Sequence, residues 1–234
     1  MPYRRLPNTD QARLRALHAA LEMSSHVGST EMLITPKMQL DAKMFTPIFE
    51  QTIRQYNDAR ELQSSLSKQV DSAAKMARMY LSHFVQVFNM CVARGEIKRE
   101  MREMIGLKIN DDTLPAMETV SQILSWGKTI IEGEEKRMAQ GEGNRIYNPS
   151  IAVVKVKVIQ LNETHNKHQD LLQTIQKHHV KVEEIRPKAD ALILEMWNEI
   201  EKRLEDYSAA QRRDIASRYG VVYIYRPSER EQED

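Results

Sequence analysis

The chain has 234 residues, enough for one domain with a substantial core or for two small ones. Its 34 lysines and arginines against 33 acidic residues leave a net charge of +1, which excludes a global field that would draw in nucleic acid or an anionic membrane. A single cysteine, Cys91, excludes an intrachain disulfide and a cysteine-rich zinc site, and it suits a reducing cytoplasm.

The first residues hold a basic pair, Arg4-Arg5, with no apolar run behind it, so no export signal is expected. No segment approaches the ~18 apolar residues of a membrane span. Asn8-Thr9-Asp10 reads as the cap of a first helix, with Leu14, Leu17 and Leu21 down one side and an end near Gly28.

Glycine is missing from 29–94 and from 144–219, and each stretch predicts one long helix. Thr35-Pro36 starts the first of these and Gly95 stops it. From Phe45 to Cys91 the apolar positions alternate four and three residues apart, a period of 3.5 that predicts coiled-coil-like packing along the whole length, about 85–90 Å. Pro47 falls inside this helix, and a kink there is favoured over a fresh start at Thr46-Pro47.

Between the long segments, 96–105 reads as a short helix closed by Gly106. A third substantial helix is expected over 114–140, opened by Thr113-Leu114-Pro115. The second long segment starts at Asn148-Pro149-Ser150, with proline in the first turn, and carries the same seam from Ile151 through Pro187 to Ile200, slipping at Leu204. Its opening, 153–159, alternates β-branched residues as a strand would, but helix is favoured because no turn residue follows before Asn162. A short helix at 209–218 and the apolar run Val221-Val222-Tyr223-Ile224-Tyr225 follow.

That run reads as a strand that cannot stand alone, with Val221, Tyr223 and Tyr225 on one face as candidate partner-binding residues. Its partner is either Glu31-Met32-Leu33-Ile34 of the same chain, the favoured choice, or a segment of another molecule. The expected architecture is all-α: an elongated, mostly antiparallel bundle of long helices occupying 1–226 as one domain. A short C-terminal strand and a charged, disordered tail at 227–234 complete it.

Chemistry is sparse. Di-iron bundles need Glu-x-x-His pairs, and none occurs at any of the seven histidines. His165-x-x-His168 places two imidazoles on the seam, with His179 eleven residues on, and these three are the candidate metal ligands. Seam histidines that find hydrogen bonds in a wet core are the favoured reading. Cys91 and His83 lie two turns apart, about 12 Å, too far for a proton relay along one helix. Asp111-Asp112 and Glu132-Gly133-Glu134-Glu135 lack the alternation of a calcium loop, and Gly127-Lys128-Thr129 lacks the upstream glycine of a phosphate loop. The basic clusters Arg4-Arg5 with Arg13 and Arg15, Lys98-Arg99 with Arg102, and Arg212-Arg213 with Arg218 have no aromatic ladder for stacking bases, and they read as solvated surface.

The opening Arg4-Arg5-Leu6-Pro7-Asn8-Thr9-Asp10, with Ala12-Arg13 after it, and the ending Arg218-Tyr219-Gly220-Val221-Val222-Tyr223 resemble the two ends of an uncharacterised family of bacterial all-helical proteins. The resemblance implies a bacterial cytoplasmic protein and carries no activity, ligand or binding residue.

These readings point to a non-enzymatic helical scaffold or protein-interaction module, probing no nucleic acid and no membrane, without a cofactor and self-associating as a homo-oligomer. Seam positions Leu66, Val70, Phe84, Leu172, Ile175 and Ile200 should then be shielded. The alternative is a metal- or small-molecule-binding bundle built on the seam histidines.

Overall fold

The structure is a computed structural model, and it describes residues 3–26 and 32–225. The element order is β1 (Tyr3–Arg4), α1 (Asp10–His26), α2 (Pro36–Ala93), a 3-10 helix (Arg99–Ile105), α3 (Val120–Ala139), α4 (Ile151–Arg203), α5 (Ala209–Arg218) and β2 (Tyr223–Ile224). The protein is all-α, with one short two-stranded antiparallel sheet among the described residues. Among the described residues no helix is long and apolar enough to cross a membrane.

The chain divides into two compact units, Met1–Ala59 with Ile175–Asp234, and Arg60–Thr174. In the first unit, α1, the first part of α2, the last part of α4 and α5 close on Leu17, Phe49, Ile193, Trp197, Ile200 and Tyr219. Thr35 reaches Glu199 and Tyr56 faces His179, so numbers rise along α2 as they fall along α4, and the two helices run antiparallel. In the second unit Leu81, Phe84 and Phe88 of α2 pack with Ile105, Ile130 of α3, and Val154 and Leu161 of α4. Ser67 meets His168 and Tyr80 meets Lys157, the same antiparallel sense.

The long helices start and stop for local reasons. The Thr35 hydroxyl accepts from the Met38 N–H at 3.4 Å, capping α2. At its other end Gly95 takes φ +74°, and the Glu96 N–H returns to the Cys91 carbonyl, which satisfies the last turn. Pro47 and Pro187 stand inside continuous helices, both on exposed faces, where water can replace the donor that proline lacks. The segment 153–159 is helical. Val154, Val158 and Leu161 are buried at four- and three-residue spacing, which is a helix face and not alternation.

Several expectations are corrected. The third helix begins at Val120, not at 114: Thr119 and Gln122 form a reciprocal capping box, and 113–119 has no regular structure although Met117 is buried there. The short helix before it is a 3-10 helix. Asn148–Pro149 is cis and lies ahead of α4, whose first turn opens on Ile151. β2 pairs with β1, Tyr3 opposite Ile224 and Arg4 opposite Tyr223, and not with 32–34, while Glu31 lies outside the described residues. Of the seam positions, Val70, Phe84 and Ile200 are buried within the single chain, whereas Leu66, Leu172 and Ile175 are half-buried. The stop near Gly28 and the tail at 227–234 lie outside the described residues.

Candidate functional site

Of the three candidate metal ligands, His165 and His168 belong to the second unit and His179 to the first. His168 Nε2 lies 3.1 Å from the Ser67 hydroxyl. His179 packs its ring against Tyr56, centroids 5.5 Å apart, with Nδ1 3.5 Å from Glu183 Oε2. Nδ1 of His165 is buried without a hydrogen-bond partner among the described residues. Among the described residues no three histidine, cysteine or carboxylate side chains are grouped to hold one metal ion.

The remaining polar groups singled out by sequence have structural partners. Asp112 pairs with Arg102, whose fully buried guanidinium also binds Asn89 and the carbonyls of Lys108 and Asp111. Asp111 accepts from the N–H and hydroxyl of Thr113. Glu134 is buried against Arg137, with both contacts at 2.7 Å. Thr129 donates to the Ser125 carbonyl inside α3. Cys91 is buried, and burial followed by the neighbouring Glu96 carboxylate pushes its thiol up, so at neutral pH it stays protonated and is a poor nucleophile.

The C-terminal run is occupied within its own unit. Val221 is buried in the core. The Tyr223 hydroxyl donates to Glu201 Oε1 at 2.7 Å, and Glu201 Oε2 receives Arg4 at 3.0 Å. Tyr225 lies under the Arg213 guanidinium, 6.0 Å from its ring centroid.

Two features are left over. One is a pocket of about 420 Å³ in the first unit, where the strand-like N-terminal segment and the C-terminal run meet α1 over Trp197. Gly220, at φ +88°, permits this approach, because a Cβ there would stand 3.1 Å from the Ala16 backbone. The basic cluster at the N-terminus divides around it. Arg4 binds Glu201 and Asn198, and Arg13 binds Asp190 and Asp10, while Arg5 and Arg15 line the pocket and form no ion pair among the described residues.

Compared with family models, with curated proteins and with solved structures, the chain matches none.

The other feature is a stripe on α2 in the first unit. Leu40, Met44 and Ile48 follow at one-turn spacing and are 56%, 66% and 57% exposed, while Ala42, Phe49 and Ile53 on the opposite side are buried. Sequence reading followed the 45–91 seam and passed over this second line, although its spacing of four residues is visible in the sequence. It noted the arginine cluster as surface, and neighbours alike in type gave no sign that they part company.

Proposed function

We propose that the protein is a non-enzymatic helical interaction module of the bacterial cytoplasm that self-associates, and that the Leu40-Met44-Ile48 face of α2 is where two copies meet. The stripe is the observation that carries this reading: three large apolar side chains in a row, more than half exposed, on a helix whose opposite side is fully packed. The acidic clusters support it as well, since Asp111, Asp112 and Glu134 are engaged in holding a loop or a helix end, and among the described residues no group of three metal-ligating side chains forms.

In a two-fold arrangement each residue counts twice. Six such side chains, each already partly buried in the single chain and so gaining about 1–2 kcal/mol, act against an association cost of about 4–15 kcal/mol. The balance favours a reversible, concentration-dependent dimer over an obligate one.

Sedimentation velocity over a concentration series tests this. The wild type should move from the single-chain mass of 27.2 kDa toward twice that value as concentration rises. A Leu40→Glu/Ile48→Glu variant should stay at the single-chain mass with unchanged helical circular dichroism. A wild type that remains a single chain at its solubility limit would overturn the proposal.

A further inference from the structure

We propose that the pocket over Trp197 binds an aliphatic carboxylate, with Arg5 and Arg15 holding the head and the apolar wall taking the chain. Its volume, about 420 Å³, falls in the range of small-molecule sites, about 300–1,000 Å³. The wall has a marked chemical asymmetry. Leu6, Ala16, Val222 and Ile224 supply apolar surface, Arg5 and Arg15 are the charged residues that line it, and no carboxylate is among its residues.

Among the described residues neither Arg5 nor Arg15 has an ion-pair partner, whereas Glu201 is paired with Arg4, and Asp10 and Asp190 with Arg13. A guanidinium presents a planar fork that matches a carboxylate with two parallel hydrogen bonds, which selects an anionic head over an alcohol or an amine.

Trp197 is among the residues that line the pocket and is itself fully buried, so its indole reports occupancy from the wall.

The chain has two tryptophans, so a Trp126→Phe variant makes Trp197 the sole indole reporter. Octanoate, octanol and octylammonium are titrated into this protein below their aggregation concentrations while indole fluorescence is followed. Octanoate should give a saturable change, with octanol at least tenfold weaker and octylammonium inactive. In an Arg5→Ala/Arg15→Ala background, where both replaced side chains are exposed and without an ion pair among the described residues so that the fold is kept, octanoate affinity should fall at least tenfold. The proposal is overturned by no saturable response to octanoate, by equal binding of octylammonium, or by octanoate affinity that is unchanged without the two arginines.

Discussion

Gly133 of α3 sits against the backbone of Met104 so closely that a Cβ there would fall well inside contact distance of the Met104 carbonyl and 2.8 Å from the Ile105 Cα. This is the contact that seats the 3-10 helix on α3. Alanine would ordinarily add about 1 kcal/mol of helix propensity over glycine. Here the obstacle is backbone, which cannot rotate aside, and overpacking of that kind costs about 1–3 kcal/mol or more. Gly133→Ala should therefore lower stability by about 2 kcal/mol net. Gly127→Ala is the comparison: its Cβ would meet both Val158 methyls at 2.8 Å, and a β-branched side chain held to one rotamer on α4 yields only by a small shift of the helix, so the loss should be smaller, about 1 kcal/mol. Urea unfolding of the two variants decides this, and equal losses would refute the distinction.

The buried pair Glu134–Arg137 closes the loop after α3. Arg137 also donates to the carbonyls of Glu142 and Asn144, so one guanidinium satisfies a buried carboxylate and a turn. Arg137→Met strands the Glu134 charge and should cost about 3–5 kcal/mol. The double variant Glu134→Met/Arg137→Met removes the stranded charge and should recover part of the loss, but not all, because the two carbonyls remain without their donor. Full recovery in the double variant would show that the loop contacts contribute nothing.

Asp10 joins α1 to α4. It receives two parallel bonds from Arg186, at 2.8 and 2.7 Å, and one from Arg13 at 3.2 Å. The Arg186 hydrogen bond is the main cause holding its carboxyl below the ordinary value of 3.8. A depressed carboxylate contributes stability that is present above the unfolded value and is lost as pH falls through the folded one. Asp10→Asn should thus cost about 1 kcal/mol at neutral pH, a figure reduced for partial exposure of Arg186. The gap between variant and wild type should close as pH drops below 3.8. Urea midpoints of both proteins from neutral to acid pH measure it, and a gap constant with pH would contradict the assignment.

What could be seen in the sequence tracks how local its physical cause is. The ends of α2 and α5 are set by Thr35-Pro36, Gly95, Ser208 and Gly220, each acting within a turn, and the chain spells them out. The start of α3 was equally local, yet the proline at 115 was the louder signal and Thr119-x-x-Gln122 the true one. The β1–β2 pairing joins residues some 220 apart through strands of two residues, too short to show a period. The pocket was hidden for a geometric reason. Arg4 and Arg5 are adjacent on an extended segment and point to opposite sides, while Arg13 and Arg15 are about 200° apart around α1. Identical residue types were therefore sorted between ion pairs and the pocket by backbone geometry alone.

Tyr223 offers a test of the sheet at the alkaline end. Its hydroxyl donates to Glu201 Oε1 at 2.7 Å, and burial, then that neighbouring carboxylate, push its ionisation well above the ordinary 10.0. A raised group contributes stability that is fully present below the unfolded value and is lost as pH rises through the folded one. At neutral pH Tyr223→Phe should cost about 1 kcal/mol, since Glu201 keeps its bond from Arg4. Above pH 10.0 the unfolded tyrosine ionises while the folded one resists, so the wild type loses stability that phenylalanine, having no proton to release, does not. The two unfolding curves should converge and then cross. Tyr219, also raised, is common to both proteins and cancels. Parallel curves across the alkaline range would mean that the Tyr223 hydroxyl is not held against Glu201, and that the sheet is closed by its backbone bonds alone.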